Sequence, residues 1–211
     1  TSGPLITVTA APAIAIAFWR CFLGAVATAP FAFKNGLRNI NRKTLTTSIS
    51  AGLLLGIHFA VWIPSLRFTT VAAGTALTAL QPIFAAYFVK RLGGHIPKQA
   101  WIGMVISFLG VLIITGVDFQ ISRRAFLGDL AAIVCAALAA LYVMLGSQAQ
   151  RTISTSTYTS ICYFVCALTA LPIALVTQTP VWGFSSREWW LLLALIAGAQ
   201  ILGHTMFNLS L

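Results

Sequence analysis

The sequence predicts an all-α, polytopic membrane helix bundle, and three observations predict it. Of 211 residues, 59% are hydrophobic and only 8% are charged, whereas soluble domains carry about a quarter charged residues. The charges are confined to short segments. No Asp, Glu, Lys or Arg occurs in 44–66, 68–89, 99–117, 130–150 or 189–211, nor in the longer run 152–186. Each run reaches or nearly reaches the roughly 20 apolar residues that cross about 30 Å of hydrocarbon. None has the polar face that a water-exposed helix needs. The strands of a membrane barrel, about ten residues of alternating polarity, are absent.

Seven complete spans follow in order. The first covers about Pro12–Phe33, with Pro12 suited to a first helical turn. The others lie near Leu45–Leu66, Thr70–Leu92, Lys98–Val117, Gly128–Gln148, Ser156–Thr177 and Glu188–Leu209. Thr1–Ala10 reads as the tail of an earlier helix. Asn35-Gly36, Gly93-Gly94-His95-Ile96-Pro97 and Thr179-Pro180 punctuate the connections. Thr1–Ala17 lacks a basic leader region, so no cleavable signal peptide is expected. Both ends read as cut from a longer chain.

Basic residues set the expected orientation. Lys34, Arg38, Arg42, Lys43, Lys90, Arg91, Lys98 and Arg151 share one side; Arg67, Arg123, Arg124 and Arg187 share the other. The richer side is expected to be cytoplasmic, which places loops 34–43, 90–98 and 149–154 inside. Asp118, Asp129 and Glu188 all fall near the opposite side. The net charge of +10 is thereby explained by topology, and no nucleic-acid partner is expected. Cys21, Cys135, Cys162 and Cys166 lie inside spans at spacings that match no metal or redox motif, as small apolar fillers do.

A weak internal echo is present. Ala25-Val-Ala-Thr-Ala-Pro-Phe-Ala32 is similar to Ala167-Leu-Thr-Ala-Leu-Pro-Ile-Ala174, and Trp62-Ile-Pro-Ser-Leu66 to Phe207-Asn-Leu-Ser-Leu211. An odd number of spans separates the paired elements, so the copies would insert in opposite senses, as in transporters that rock about a midplane site.

Polar groups inside the spans are the candidate functional residues, because each is expensive in hydrocarbon. Gln200, His204 and Asn208 recur at i, i+4 and i+8, on one face of an α-helix. They either line a wet cavity or bond neighbouring helices. His58, Trp62 and Ser65 share another face. The unperturbed pKa of a histidine, roughly 6.5, would permit a proton-linked role for His58; Trp62 is either a solute contact or an interfacial anchor. Gln81-Pro82 interrupts the third span, either as a simple kink or to free a carbonyl for a cavity or hinge. Arg20 lies well inside the first span, where it costs on the order of 2.5–3.5 kcal/mol on insertion scales. It either binds an anionic group or snorkels outward to loop carbonyls. Tyr142 is a further cavity candidate. Gly52-Leu-Leu-Leu-Gly56 permits close helix packing. No carboxylate stands mid-span; Asp129 and Glu188 occupy first helical turns, where an acid complements the dipole. No phosphate-cradling loop, metal-ligand set or nucleophile with a base is present, so neither an enzyme nor a cofactor is expected.

Several of these segments together carry a resemblance. Phe18-Trp-Arg-Cys-Phe-Leu-Gly24, Gln81-Pro82, Gln99-Ala-Trp-Ile-Gly103 with Gly110-Val-Leu, and Gly128-Asp-Leu-Ala-Ala132 with Ala140-Leu-Tyr142 stand in an order that resembles the drug/metabolite transporter superfamily, in its EamA-domain branch. The resemblance implies ten helices in two inverted five-helix repeats. Residues 1–117 would form the first repeat with its first helix truncated, and 128–211 the second without its last two helices. It implies a plasma-membrane carrier of amino acids, metabolites or drugs, in import or efflux, by alternating access through a central cavity. Proton or ion coupling is compatible with it. Two positions depart from the family pattern: Gly94 where Glu often follows the fourth helix, and Ala139 where Trp often precedes Ala-Leu-Tyr. From a different class, a non-transporting membrane scaffold or receptor-type protein fits the same spans.

Overall fold

The computed structural model describes residues 2–34, 40–115 and 122–209, all helices and connections without a strand among them. The elements are α1 (Ser2–Val8), α2 (Ala13–Lys34), α3 (Arg42–Ser65), α4 (Val71–Thr78), α5 (Gln81–Arg91), α6 (Lys98–Thr115), α7 (Arg123–Gln150), α8 (Thr155–Val176) and α9 (Ser186–Leu195). A π-helical segment (Ile196–Thr205) and α10 (Met206–Leu209) follow. Asn35-Gly36, Arg38, Asp118 and the echo's final Ser210-Leu211 lie outside the described residues.

Local chemistry sets the helix starts. Asn41, Thr70, Ser122, Ser154 and Ser185 each stand just before a helix and accept from the amide three residues on. Such caps satisfy backbone donors that would otherwise be orphaned at the rim of the hydrocarbon.

Among the described residues, six helical segments are long and apolar enough to cross a membrane: Ala13–Lys34, Arg42–Ser65, Val71–Arg91, Arg123–Gln150, Thr155–Val176 and Ser186–Leu209. The fourth expected span, Lys98–Val117, is helical over Lys98–Thr115 (α6), and its last two residues lie outside the described residues. Its apolar side chains, such as Ile102, Ile106 and Ile113, are largely exposed, as befits a helix at the lipid-facing edge. The third span is interrupted at Ala79 and Leu80, which keep right-handed helical backbone angles between α4 and α5. Backbone bonds to Thr75 and Ala76 close α4 at Ala79, and Pro82 opens α5 within its first turn, where a missing amide costs nothing.

Packing centres on α2, α3, α7 and α8. α2 runs along α8, α3 lies against both α7 and α8, and α4 and α5 cover α7. Gly52 and Gly56 let α3 seat on α8. A Cβ at Gly52 would stand 2.7 Å from the Cys162 carbonyl, and one at Gly56 2.7 Å from Thr169 Cβ. All four cysteines are buried and free, with the sulfurs of Cys21 and Cys166 meeting between α2 and α8.

Polar contacts gather at the two ends. At one, the Thr44 and Thr152 hydroxyls are 2.8 Å apart, so the turns before α3 and after α7 share that end. At the other, Arg67 donates to the Ala11 carbonyl at 2.7 Å and Thr69 to Asp129 at 2.6 Å. There Glu188 accepts from the Thr9 hydroxyl and, at 2.9 Å, from the Ala10 amide.

Candidate functional site

A cavity of about 330 Å³ is bordered by the interruption between α4 and α5, the middle of α7 and the π segment. Its wall includes Arg20 of α2, His58, Phe59 and Trp62 of α3, Thr78 and Gln81 at the interrupted span, Tyr142 of α7, and His204 and Phe207. Residues scattered over nearly the whole chain thus meet in one place. A volume of this size falls at the lower end of small-molecule sites.

α3 supplies an aromatic face. The rings of His58 and Trp62, one helical turn apart, lie nearly parallel with centroids 6.2 Å apart. His58 Nδ1 is 3.0 Å from the Cys135 carbonyl on α7. A carbonyl can only accept, so Nδ1 carries a proton and only Nε2 is left to meet a solute. The ring is fixed in orientation by that bond and by the stack.

Arg20 does not snorkel. It is 1% exposed, its guanidinium carbon sits 4.6 Å above the Phe59 ring, and its Nη2 donates to Gln200 Oε1 at 3.3 Å. Its Nε and Nη1 are buried with no acceptor. Phe59 is also in edge-to-face contact with His204, at 5.4 Å. It therefore bridges a cation and an imidazole that arrive on different helices.

The expected stripe of Gln200, His204 and Asn208 is divided by the π segment. Its bonds run from i to i+5, and the Thr205 hydroxyl likewise reaches back to the Gln200 carbonyl at 3.2 Å. Residues four apart then fan out instead of stacking. His204 reaches the cavity wall. Gln200, 0% exposed, turns behind it onto Arg20. Asn208 is buried against the Tyr142 hydroxyl, at 2.9 Å from Oδ1 and 2.7 Å from Nδ2. His58, Trp62, Gln81, Tyr142, His204 and Arg20 therefore line the cavity, and Gln200 and Asn208 form a layer behind it. Thr78 lines it while its hydroxyl donates to the Gly74 carbonyl at 2.8 Å. Phe59 escaped the sequence reading, because one more phenylalanine in an apolar span carries no signal; its place beside His58 on the same helix is the only hint.

A family model described as the EamA-like transporter family matches residues 4–116. A Rickettsia felis protein named as an S-adenosylmethionine uptake transporter is 27% identical over 99 residues, which are 46% of this chain and 34% of that protein. The chain thus matches about a third of that relative's length. A solved crystal structure aligns with a TM-score of 0.67 and 19% identity, covering 99% of this chain and 76% of the other; at that identity it bears on the fold alone. With the family model covering more than half of its length, this multi-pass membrane chain belongs to the EamA-like transporter family.

Proposed function

We propose that this protein carries a small organic solute, an amino acid or a related metabolite, across the plasma membrane by alternating access about the central cavity. The observation that carries the reading is the convergence of Arg20, His58, Trp62, Gln81, Tyr142 and His204 on one cavity of about 330 Å³ inside a bundle of membrane spans. Polar side chains at membrane depth are expensive unless they line a solute path or bond each other. Here His58, Trp62, Gln81, Tyr142 and His204 contact the solute, while Gln200 and Asn208 hold Arg20 and Tyr142 in place. Family membership supports transport, and the uptake named for the Rickettsia felis relative favours import over efflux. The two halves, 1–117 and 128–211, are the inverted repeats that rock against each other, with loops 34–43, 90–98 and 149–154 on the cytoplasmic face. His58 and His204 are the groups through which proton coupling would act.

Counterflow in proteoliposomes tests the reading. Vesicles are loaded with pools of unlabelled amino acids or nucleosides, and uptake of the labelled pool is followed with wild type and with His204→Ala. Saturable counterflow that the variant loses is the expected result. Absence of counterflow for every pool, together with His58→Cys and His204→Cys variants that resist polar thiol reagents, would point instead to a scaffold.

A further inference from the structure

The cavity wall carries one permanent charge, Arg20, and no acid among the described residues neutralises it. Arg20 is ionised at any physiological pH and is almost completely removed from solvent. Its one hydrogen bond is to a neutral carboxamide, Gln200, and its Nε and Nη1 donate to no group. The sequence contains three acids. Asp129 is engaged by Thr69, and Glu188 by Thr9 and Ala10, away from the cavity; Asp118 lies outside the described residues. A second wall donor, Trp62 Nε1, is also buried without an acceptor. A desolvated, unpaired cation carries a large penalty, and an anion arriving in the cavity removes it.

Building on the transporter reading above, we infer that the solute is a small organic monocarboxylate and that Arg20 receives its carboxylate. Charge balance selects this class. One guanidinium matches one negative charge, and the second charge of a phosphate dianion would find a partner in this wall only if His58 or His204 took up a proton. Guanidinium geometry suits a planar carboxylate. Trp62 Nε1 supplies a further donor to an acceptor atom of the solute. The rings of Phe59, Trp62, Tyr142 and Phe207 supply an apolar enclosure for the remainder of the molecule.

The test uses full-length protein in phosphatidylcholine vesicles, which bring no net negative headgroup. Three acids are compared with their amides as binders and as competitors of counterflow: benzoate with benzamide, indole-3-acetate with its amide, and methionine with methioninamide. At least one acid should compete at least 30-fold more strongly than its amide. Arg20→Gln should remove that preference, and Arg20→Lys should keep part of it. Acids and amides that compete alike, or an Arg20→Gln protein that keeps the preference, would overturn the inference. The acid–amide comparison in wild type decides the matter even if Arg20→Gln does not fold. Counterflow indifferent to every acid would sink the carboxylate assignment and leave transport standing. Acid binding that is lost in Arg20→Gln, with no counterflow of any pool, would sink transport and leave the anion site standing.

Discussion

The Tyr142 hydroxyl and the Asn208 carboxamide are buried partners, with the oxygen of one 2.9 Å from Oδ1 and 2.7 Å from Nδ2 of the other. Tyr142 presents its ring to the cavity from α7, and Asn208 stands on α10, so the pair ties the end of the last span to the cavity wall. It also fixes the direction of the ring's long axis, because the hydroxyl oxygen stands at the end of that axis.

A double-mutant cycle checks the strength of this tie. Tyr142→Phe and Asn208→Leu should each destabilise the protein, and the double variant should lose less than their sum. Interhelical hydrogen bonds in membranes average about 0.6 kcal/mol and reach about 1.7, so a coupling in that range is expected from reversible unfolding in mixed micelles. Strict additivity would mean the two groups do not share a bond.

Close packing of α3 on α8 leads to a second expectation. A side chain at Gly52 meets a backbone carbonyl, Cys162, at 2.7 Å, and a carbonyl cannot rotate away as a side-chain tip can. Gly52→Leu should therefore cost about 1–3 kcal/mol or more through overpacking. Gly103→Ala in α6 should be neutral or better, since nothing lies within 4 Å of its Cβ position and alanine is the stronger helix former. Melting temperatures in detergent would separate the two; equal behaviour would contradict the packing described.

Spans and site were legible in the sequence to different degrees, for physical reasons. Uncharged runs marked the helices because hydrocarbon rejects charge, and the same cost picked out Arg20, His58, Gln81 and His204 as residues needing a purpose. The spacing of Gln200, His204 and Asn208 was read on an α period, and nothing in composition distinguishes an α turn from a π turn. The structure therefore moves Gln200 and Asn208 behind the wall. Phe59 was invisible for the opposite reason: an aromatic ring in a span costs nothing and asks for no explanation. The interruption at Ala79 and Leu80 was foreshadowed by Pro82, but proline alone does not say whether a helix bends or restarts.

Sidedness gives a third expectation. Arg151 and Arg187 are both exposed and fall at opposite ends of the spans that join them. In an otherwise cysteine-free background, Arg151→Cys should react with an impermeant maleimide only in inverted vesicles, and Arg187→Cys only in intact cells. The reverse pattern would invert the proposed topology, and labelling of both from one side would deny that an odd number of crossings separates them.

Gln200 offers the sharpest lever on the cavity, because among the described residues it is the one hydrogen-bond partner of the Arg20 guanidinium. Gln200→Glu keeps the shape and supplies an internal carboxylate. In a water-poor site the resulting ion pair is far stronger than it would be in water. A solute carboxylate must then displace a counter-ion that is already in place. The apparent KM for an anionic solute should rise at least tenfold, while thermal stability holds or rises because the cation is no longer unpaired. Gln200→Leu removes the bond but adds no charge, so Arg20 stays available and is merely less well placed; a KM increase of a few fold is expected. Counterflow kinetics and melting temperatures on the same preparations check both. Wild-type KM in Gln200→Glu would mean that Arg20 does not meet the solute, and a fall in its stability would mean that the guanidinium already has a counter-ion.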